Sequence, residues 1–385
     1  MRGRSRLGEH RQVLAEIVST AQDNNVDLTL VAGDLFETAA PTGEQEKLVY
    51  ETLLSLAEVS PLCVVSGNHD NARRLRAIAP VMSYARINLV TEPTSPAEGG
   101  VVDIKTESGE LAKVAMLPFV SQRSIVKSEQ LVGNQAFQNS QTYAQRLSQV
   151  IGALSSNFDA DSVNIVLAHA FVTGAELGGG ERQAHIVDEY GIPAQAFEAT
   201  TSYVALGHLH RAQQIAGATA IHYCGSPLQM DFGETTQVKQ VNLVEMKAGL
   251  PAKVEAVTLT GGRQLVKVVG SKVGAVEAAK ELDDSAWIRI ELDEPLAPGE
   301  ADKIREAVGE PLVDVRAQRQ DSTATSVTRR LDGSTPSDLF KNYLDENAPE
   351  DSVLLEHFNE LHEEIRLEKN REAEIQASKL EALGK

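Results

Sequence analysis

Four short stretches of the 385-residue sequence carry side chains able to hold a cation, and each closes an apolar run. "VAGD" ends in Gly33 and Asp34, "VVSGNHD" in Gly67, Asn68, His69 and Asp70, "VLAH" in His169, and "ALGHLH" in Gly207, His208, Leu209 and His210. In an extended chain residues two apart share a face, so His208 and His210 point the same way and suit a metal. Aspartate, asparagine and histidine without cysteine make a mixed oxygen and nitrogen donor set. Such a set suits Mn²⁺, Fe²⁺ or Zn²⁺ better than Ca²⁺ or a structural thiolate zinc. A carboxylate such as Asp34 can bridge two ions, and two ions about 4 Å apart can clamp the attacking and departing oxygens of a displacement at phosphorus. That chemistry is phosphoester hydrolysis. Each residue taken singly also has a structural reading, with Asp34 and Asn68 capping turns and the histidines as satisfied core groups. Their recurrence at four successive run ends is what favours a site.

The elements that must position these residues can be read from the same runs. "VDLTLVAGD", "PLCVVSGNHD", "SVNIVLAH" and "SYVALGHLH" are apolar and β-branched, as buried strands are. In sheets covered by helices, ligands collect beyond the carboxyl ends of the strands, so the four ends point to one crevice. Helical segments fill the gaps. Residues 9–24 place Val13, Leu14, Ile17, Val18 and Ala21 on one face, and residues 44–57 do the same with Leu48, Val49, Leu53 and Leu56 behind a Thr42/Gln45 capping box. The predicted class is α/β over residues 1–260.

From about residue 230 the pattern changes. "QVNLVEM", "AKVEAVTL", "QLVKVVG" and "AWIRIEL" read as strands and residues 272–282 and 299–308 as helices, which predicts a small α+β domain over 261–325. Residues 326–385 read as a linker and two helices. The first starts at Thr335, Pro336 and Asp338 and carries Leu339, Phe340, Tyr343 and Leu344, and the second carries Val353, Leu354, Phe358, Leu361 and Ile365.

Composition limits the classes. Hydrophobic residues at 42% and charged ones at 24% are ordinary for a soluble protein, and no apolar run reaches the length of a membrane span. The start "MRGRSRLGEH" lacks the apolar core of a secretory signal, so the cytoplasm is the expected location. Cys63 and Cys224 read as reduced core residues. A net charge of −19 argues against coating nucleic acid by bulk electrostatics but not against a nucleic-acid enzyme, because bound cations supply local positive charge. His185 and His222 read as structural, and His357 and His362 as solvated or interface residues.

The ordered set of Gly33–Asp34, Gly67–Asp70, His169 and Gly207–His210 resembles the motifs of the calcineurin-like metallophosphoesterases. More narrowly, "AGDLFETAAPT", "VVSGNHDNARRL", "HYCGSPLQMDFGE" and "TPSDLFKNYL" resemble the SbcD family of bacterial nuclease subunits, relatives of the Mre-type break-repair nucleases. The resemblance implies a layered sheet sandwich flanked by helices, with 261–325 as a capping domain that helps hold DNA. It implies two divalent ions, Mn²⁺ by preference. Asp34 would bridge them, Asn68, His169 and His208 would complete the second site, and His210 would belong to the first. His69 would assist at the scissile phosphate, with Asp70 orienting it. It further implies exonuclease and endonuclease action on DNA ends and hairpins in recombination, replication and repair. The C-terminal helices would dock on the SMC-like ATPase SbcC in a heterotetramer with two copies of each subunit.

The family's opening motif, a strand ending in D-x-H that completes the first metal site, does not precede Asp34 in this sequence. The first ion would then keep only Asp34 and His210 from this chain, and the expectation is a natural reading frame that begins upstream with that strand. Two alternatives stand beside the nuclease: a nucleotide or phosphodiester phosphatase on the same fold, and a catalytically impaired binding subunit.

Overall fold

Alternation of apolar side chains along the central strands dictates a layered arrangement, and the computed structural model shows it. It describes residues 4–121, 125, 143–179, 181, 191–282 and 286–317, with 340, 341, 344, 354 and 358 in the C-terminal unit. The chain forms two compact units, Met1–Arg319 and Gln320–Lys385.

In the first unit β1 (Thr29–Val31), β2 (Leu62–Val65) and β3 (Ile87–Val90) form a parallel sheet in that order. Successive residues face opposite sides. Leu62 and Val64 meet Ala21 of α1 (Leu7–Asp23), Leu53 and Leu56 of α2 (Gly43–Val59) and Met82 of α3 (Ala72–Tyr84). Cys63 and Val65 face the other way, onto a second sheet. That sheet comprises β4 (Val101–Lys105), β5 (Leu111–Leu117), β6 (Val163–His169), β7 (Tyr203–Gly207), β8 (Gln213–Ile215) and β9 (Ala220–Tyr223) in the order β4-β5-β6-β7-β9-β8. Val114, Met116, Ile165 and Leu167 point inward to Cys63 and Val65. Ala115, Leu117, Val166 and Ala168 point outward to Leu147, Val150, Ile151 and Leu154 of α4 (Tyr143–Ser155). The layers run helices, sheet, sheet, helix, and full burial of each such aliphatic side chain is worth about 1.5–3 kcal/mol. This is the α/β sandwich expected from the sequence.

Local chemistry sets the element ends. Thr42 Oγ1 accepts from the Gln45 amide at 3.3 Å and Gln45 Oε1 accepts from the Thr42 amide at 2.7 Å, so the capping box starts α2 just after the Asp34 loop. Strand β1 stops at Val31 because the chain then turns through Gly33 at φ 90° and Asp34 at φ 53°. Burial pushes the Cys63 thiol up to about 12, which leaves it an inert core group.

The antiparallel hairpin β10 (Gln240–Glu245) and β11 (Lys253–Thr258) leads to a third sheet. There β12 (Gln264–Gly270), β13 (Ala286–Leu292) and β14 (Leu312–Ala317) run parallel, with crossover helices α5 (Lys272–Glu281) and α6 (Glu300–Val308). Parallel neighbours require such crossovers. Strand β14 has no counterpart among the runs read from the sequence. This module has its own core of Ala275, Ala279, Ile288, Ile290, Leu292, Ile304 and Leu312.

A seam joins the module to α1. The Trp287 indole N–H donates to Glu9 Oε1 at 2.8 Å, the Arg263 amide donates to Glu9 Oε2 at 2.9 Å, and Arg6 pairs with Glu9 at 2.8 Å. The guanidinium groups of Arg4 and Arg263 lie 5.3 and 4.3 Å from the Trp287 ring centroid.

In the second unit Phe340, Lys341, Leu344, Leu354 and Phe358 are helical, and the Phe340 and Phe358 rings stack at 4.3 Å. The predicted helix start at Thr335, Tyr343, Val353, Leu361 and Ile365, and the histidines His185, His357 and His362, lie outside the described residues. Among the described residues no helix is long and apolar enough to cross a membrane.

Candidate metal centre

Strand parity carries the predicted ligands to one place. In β6, Ile165 and Leu167 face the inter-sheet core, so His169 two residues on faces the same way and is 1% exposed. In β7 the inward residues are Tyr203 and Ala205, and the chain turns after Gly207 into His208 at φ 108°. Positive φ at two non-glycine residues, Asp34 and His208, places backbone strain at the same spot, as functional sites often do. The strand ends approach closely because they are glycines. A Cβ on Gly33 would meet His169 Nδ1 at 2.5 Å.

One donor atom from each of Asp34, His169 and His208 lies within 4.8 Å of the others. Asn68 joins them, with its Oδ1 2.9 Å from His169 Nε2 and 3.0 Å from His208 Nδ1. His169 Nε2 is 3.3 Å from Asp34 Oδ2. The opposite nitrogen, Nδ1, lies 2.7 Å from the Ala32 carbonyl, which can only accept, so Nδ1 carries hydrogen and Nε2 is turned into the cluster. Around Nε2 stand the Asp34 carboxylate and the Asn68 oxygen, both acceptors. A cation among them satisfies all three groups, and the donor set suits a divalent ion of the Mn²⁺, Fe²⁺ or Zn²⁺ type. The residues present therefore fit a metal.

The charges agree with that geometry. Burial pushes the Asp34 carboxyl up, but the charge and hydrogen bond of His169 and the His69 amide outweigh it and hold it well below the usual carboxylate range. For His169 burial acts downward, yet Asp34 and the Ala32 carbonyl prevail and raise the imidazole above its ordinary value. Phe119, just beyond β5, walls the pair: its ring is stacked on His208 at 6.1 Å and edge-on to His169 at 6.2 Å. Its run ends in no ligand, so nothing in the sequence singled it out.

His69 and Asp70 differ from expectation. The His69 amide donates to Asp34 Oδ1 at 2.9 Å, and its ring Nδ1 donates to the Glu37 carbonyl at 2.7 Å. Asp70 does not orient that ring. Its carboxylate accepts from the amides of Gly67 at 2.8 Å, Leu35 at 3.2 Å and Phe36 at 3.0 Å, tying the Asp34 loop to the Asn68 loop. Three backbone donors bind a half-buried carboxylate better than one imidazole. Burial and the Asp34 charge raise its pKa against those donors.

His210 stands outside the group of three and has its own surroundings. Its Nδ1 is 2.9 Å from Oε1 of Glu234, which is 0% exposed. Lys239 Nζ donates to Glu234 Oε2 at 2.8 Å and to the His210 carbonyl at 3.0 Å, while Glu181 Oε1 accepts from the His210 amide at 2.9 Å. Neither acid nor the lysine was legible as part of a site, since each lies 24 to 29 residues away along the chain. His222 is not brought to the site; it stacks on Tyr203 at 5.6 Å.

Comparison with known proteins supplies the family. The profile described as calcineurin-like phosphoesterase matches residues 7–212, a span that holds every ligand candidate from Asp34 to His210. The chain is 34% identical over 306 residues to the Bacillus subtilis protein named as the SbcD component of nuclease SbcCD, covering 76% of this chain and 75% of that one. It is 27% identical over 304 residues to the Escherichia coli K12 protein of the same name, covering 75% and 74%. With the Rhodobacter capsulatus protein of that name it shares 30% identity over 262 residues, covering 65% and 64%. A sandwich with Asp, Asn and His donors at its strand ends is what these matches span, and the chain belongs to the calcineurin-like phosphoesterase family and, within it, to the SbcD family of nuclease subunits.

Proposed function

We propose that this chain is a metal-dependent DNA nuclease subunit, acting as exonuclease and endonuclease together with an SMC-like ATPase of the SbcC type. The observation that carries the reading is the convergence of Asp34, Asn68, His169 and His208 at the ends of β1, β2, β6 and β7. Divalent ions held there, Mn²⁺ in this reading, supply charge that neutralises a phosphodiester and acidifies water. Asp34 would serve both ions, with Asn68, His169 and His208 holding one and His210 the other. The Glu37 carbonyl fixes the His69 ring through Nδ1, which reserves Nε2 for the substrate phosphate. Residues 261–325 cap the site and hold DNA, and two copies of each subunit assemble in the cytoplasm.

Incubation of the chain and its ATPase partner with linear duplex DNA and Mn²⁺ is expected to release nucleotides, and EDTA to stop it. Hydrolysis confined to free nucleotides or small phosphodiesters would move the protein to the phosphatases, and metal binding without any hydrolysis would make it a binding subunit. In the same assay His69→Ala is expected to lower cleavage about 10²-fold with metal content unchanged, since a proton donor or phosphate contact is lost but no ligand. Metal analysis beside the rate measures both.

None of the ligands proposed from Asp34 to His210 falls in the Gln320–Lys385 unit, and its Phe340, Leu344, Leu354 and Phe358 lie at helical spacing. Such helices suit recognition in a groove of a partner. Deleting residues 335–385 is expected to leave metal binding intact and abolish capture of the ATPase in a pull-down. Unchanged capture would refute the docking role.

A further inference from the structure

We infer that Glu234 is a positioning residue for His210, fixing its tautomer and ring orientation so that Nε2 is left for a metal ion, with Lys239 bonded to the other carboxylate oxygen and holding Glu234 in place. This rests on the reading of His210 as a ligand.

The geometry around Nδ1 and the backbone of the histidine supports it. A carboxylate only accepts, so the 2.9 Å contact puts hydrogen on Nδ1, and in the neutral ring that leaves the lone pair on Nε2. Glu234 itself has no freedom. Oε2 accepts from the Met230 amide at 3.0 Å and from Lys239 at 2.8 Å, and the residue is fully buried. The histidine backbone is held as well: its amide donates to Glu181, and its carbonyl accepts from Lys239 and from the Ser226 amide at 3.1 Å. Ser226 Oγ at 2.9 Å and Gln237 Oε1 at 3.1 Å also lie within reach of Lys239 Nζ, whose three hydrogens are shared among four acceptors. A buried acid and lysine are costly to desolvate, and a hydrophobic pair would pack there at less expense. What the pair supplies instead is a fixed acceptor behind an imidazole. Carboxylates behind metal-binding histidines are the usual device for this purpose, and their removal typically weakens metal binding 10- to 100-fold. His169 is served in the same way by the Ala32 carbonyl, so His169 and His210 each have Nδ1 committed to an acceptor.

The test uses the full chain labelled with ¹⁵N-histidine. Glu234→Ala alone strands the Lys239 charge, so the working variant is Glu234→Ala with Lys239→Met, and Glu234→Gln is the conservative companion. His210→Ala assigns the His210 ring signals and is the reference for loss of the ligand. At a pH high enough for the ring to be neutral, the metal-free wild type is expected to show His210 as the Nδ1–H tautomer. The double variant should lose that signature, bind Mn²⁺ about 10- to 100-fold more weakly by calorimetry, and lose kcat on DNA with KM little changed. Glu234→Gln, whose amide oxygen can accept from Nδ1, should recover part of the affinity.

A double variant with wild-type tautomer and wild-type Mn²⁺ affinity would overturn the inference, provided that His210→Ala weakens binding. If His210→Ala itself leaves Mn²⁺ binding unchanged, the ligand reading fails and the inference falls with it. The two failures are therefore distinguishable.

Discussion

Asp34→Asn is expected to strip the centre of metal and lower Mn²⁺-dependent DNA cleavage about 10³-fold or more. Asparagine keeps the shape of the side chain and an oxygen for the His69 amide, so the loop is held while the charge is removed. That charge is what the centre lacks elsewhere among its described ligands: Asn68, His169 and His208 are neutral donors when they bind an ion. Loss of several kcal/mol of charge stabilisation, at about 1.4 kcal/mol per tenfold, gives the stated size. Metal content and cleavage rate are measured on the same sample, with a melting curve in EDTA to show that the variant is folded. Undiminished cleavage would remove the proposed site altogether.

Gly67→Ala is expected to be nearly as damaging although it deletes no functional group. A methyl there would meet the Asp34 carboxyl carbon at 2.6 Å, with Oδ1 and the amide nitrogen of Asp34 closer still. Neither side can yield easily, because the Asp70 carboxylate ties both loops together. Overpacking of this kind costs about 1–3 kcal/mol, which for a chain of this size lowers the melting temperature on the order of 5 °C. The larger effect is displacement of Asp34, with Mn²⁺ affinity and cleavage falling together. Gly8→Ala, where nothing lies within 4 Å, is the control and should behave as wild type. Wild-type metal affinity in Gly67→Ala would show that the loops are looser than the structure indicates.

What was legible in the sequence is what depends on neighbours along the chain. The four strand ends, the Thr42/Gln45 capping box and the bounds of α1, α2, α5 and α6 follow from periodicity and local hydrogen bonding, and they emerge within a few residues of expectation. The positions of Asp34, Asn68, His169 and His208 follow because strand parity and sheet stacking leave those residues one shared crevice. What escaped depends on distant partners. The Glu234–Lys239 pair, the Phe119 wall and the backbone duty of Asp70 have no local pattern; each is defined only when separate segments are folded together. Asp70 is instructive, since adjacency to His69 suggested a pair while the turn sends its carboxylate to the amides of residues 35, 36 and 67.

Trp287 is the sole tryptophan of the chain, and it lies in the seam between α1 and the module of β12, β13 and β14. Tryptophan emission from this protein therefore comes from one place. At rest the indole is 5% exposed, bonded to Glu9 and covered by the guanidinium groups of Arg4 and Arg263. Any swing of the module away from α1 breaks the Glu9 bond and takes Arg4 off the ring, while Arg263, which precedes β12 and pairs with Glu310, stays with the module; the indole then meets water, which reddens and broadens the fluorescence. The unlabelled protein thus carries its own optical gauge of whether that module shifts when DNA or a partner is engaged, with no dye to perturb the joint being observed.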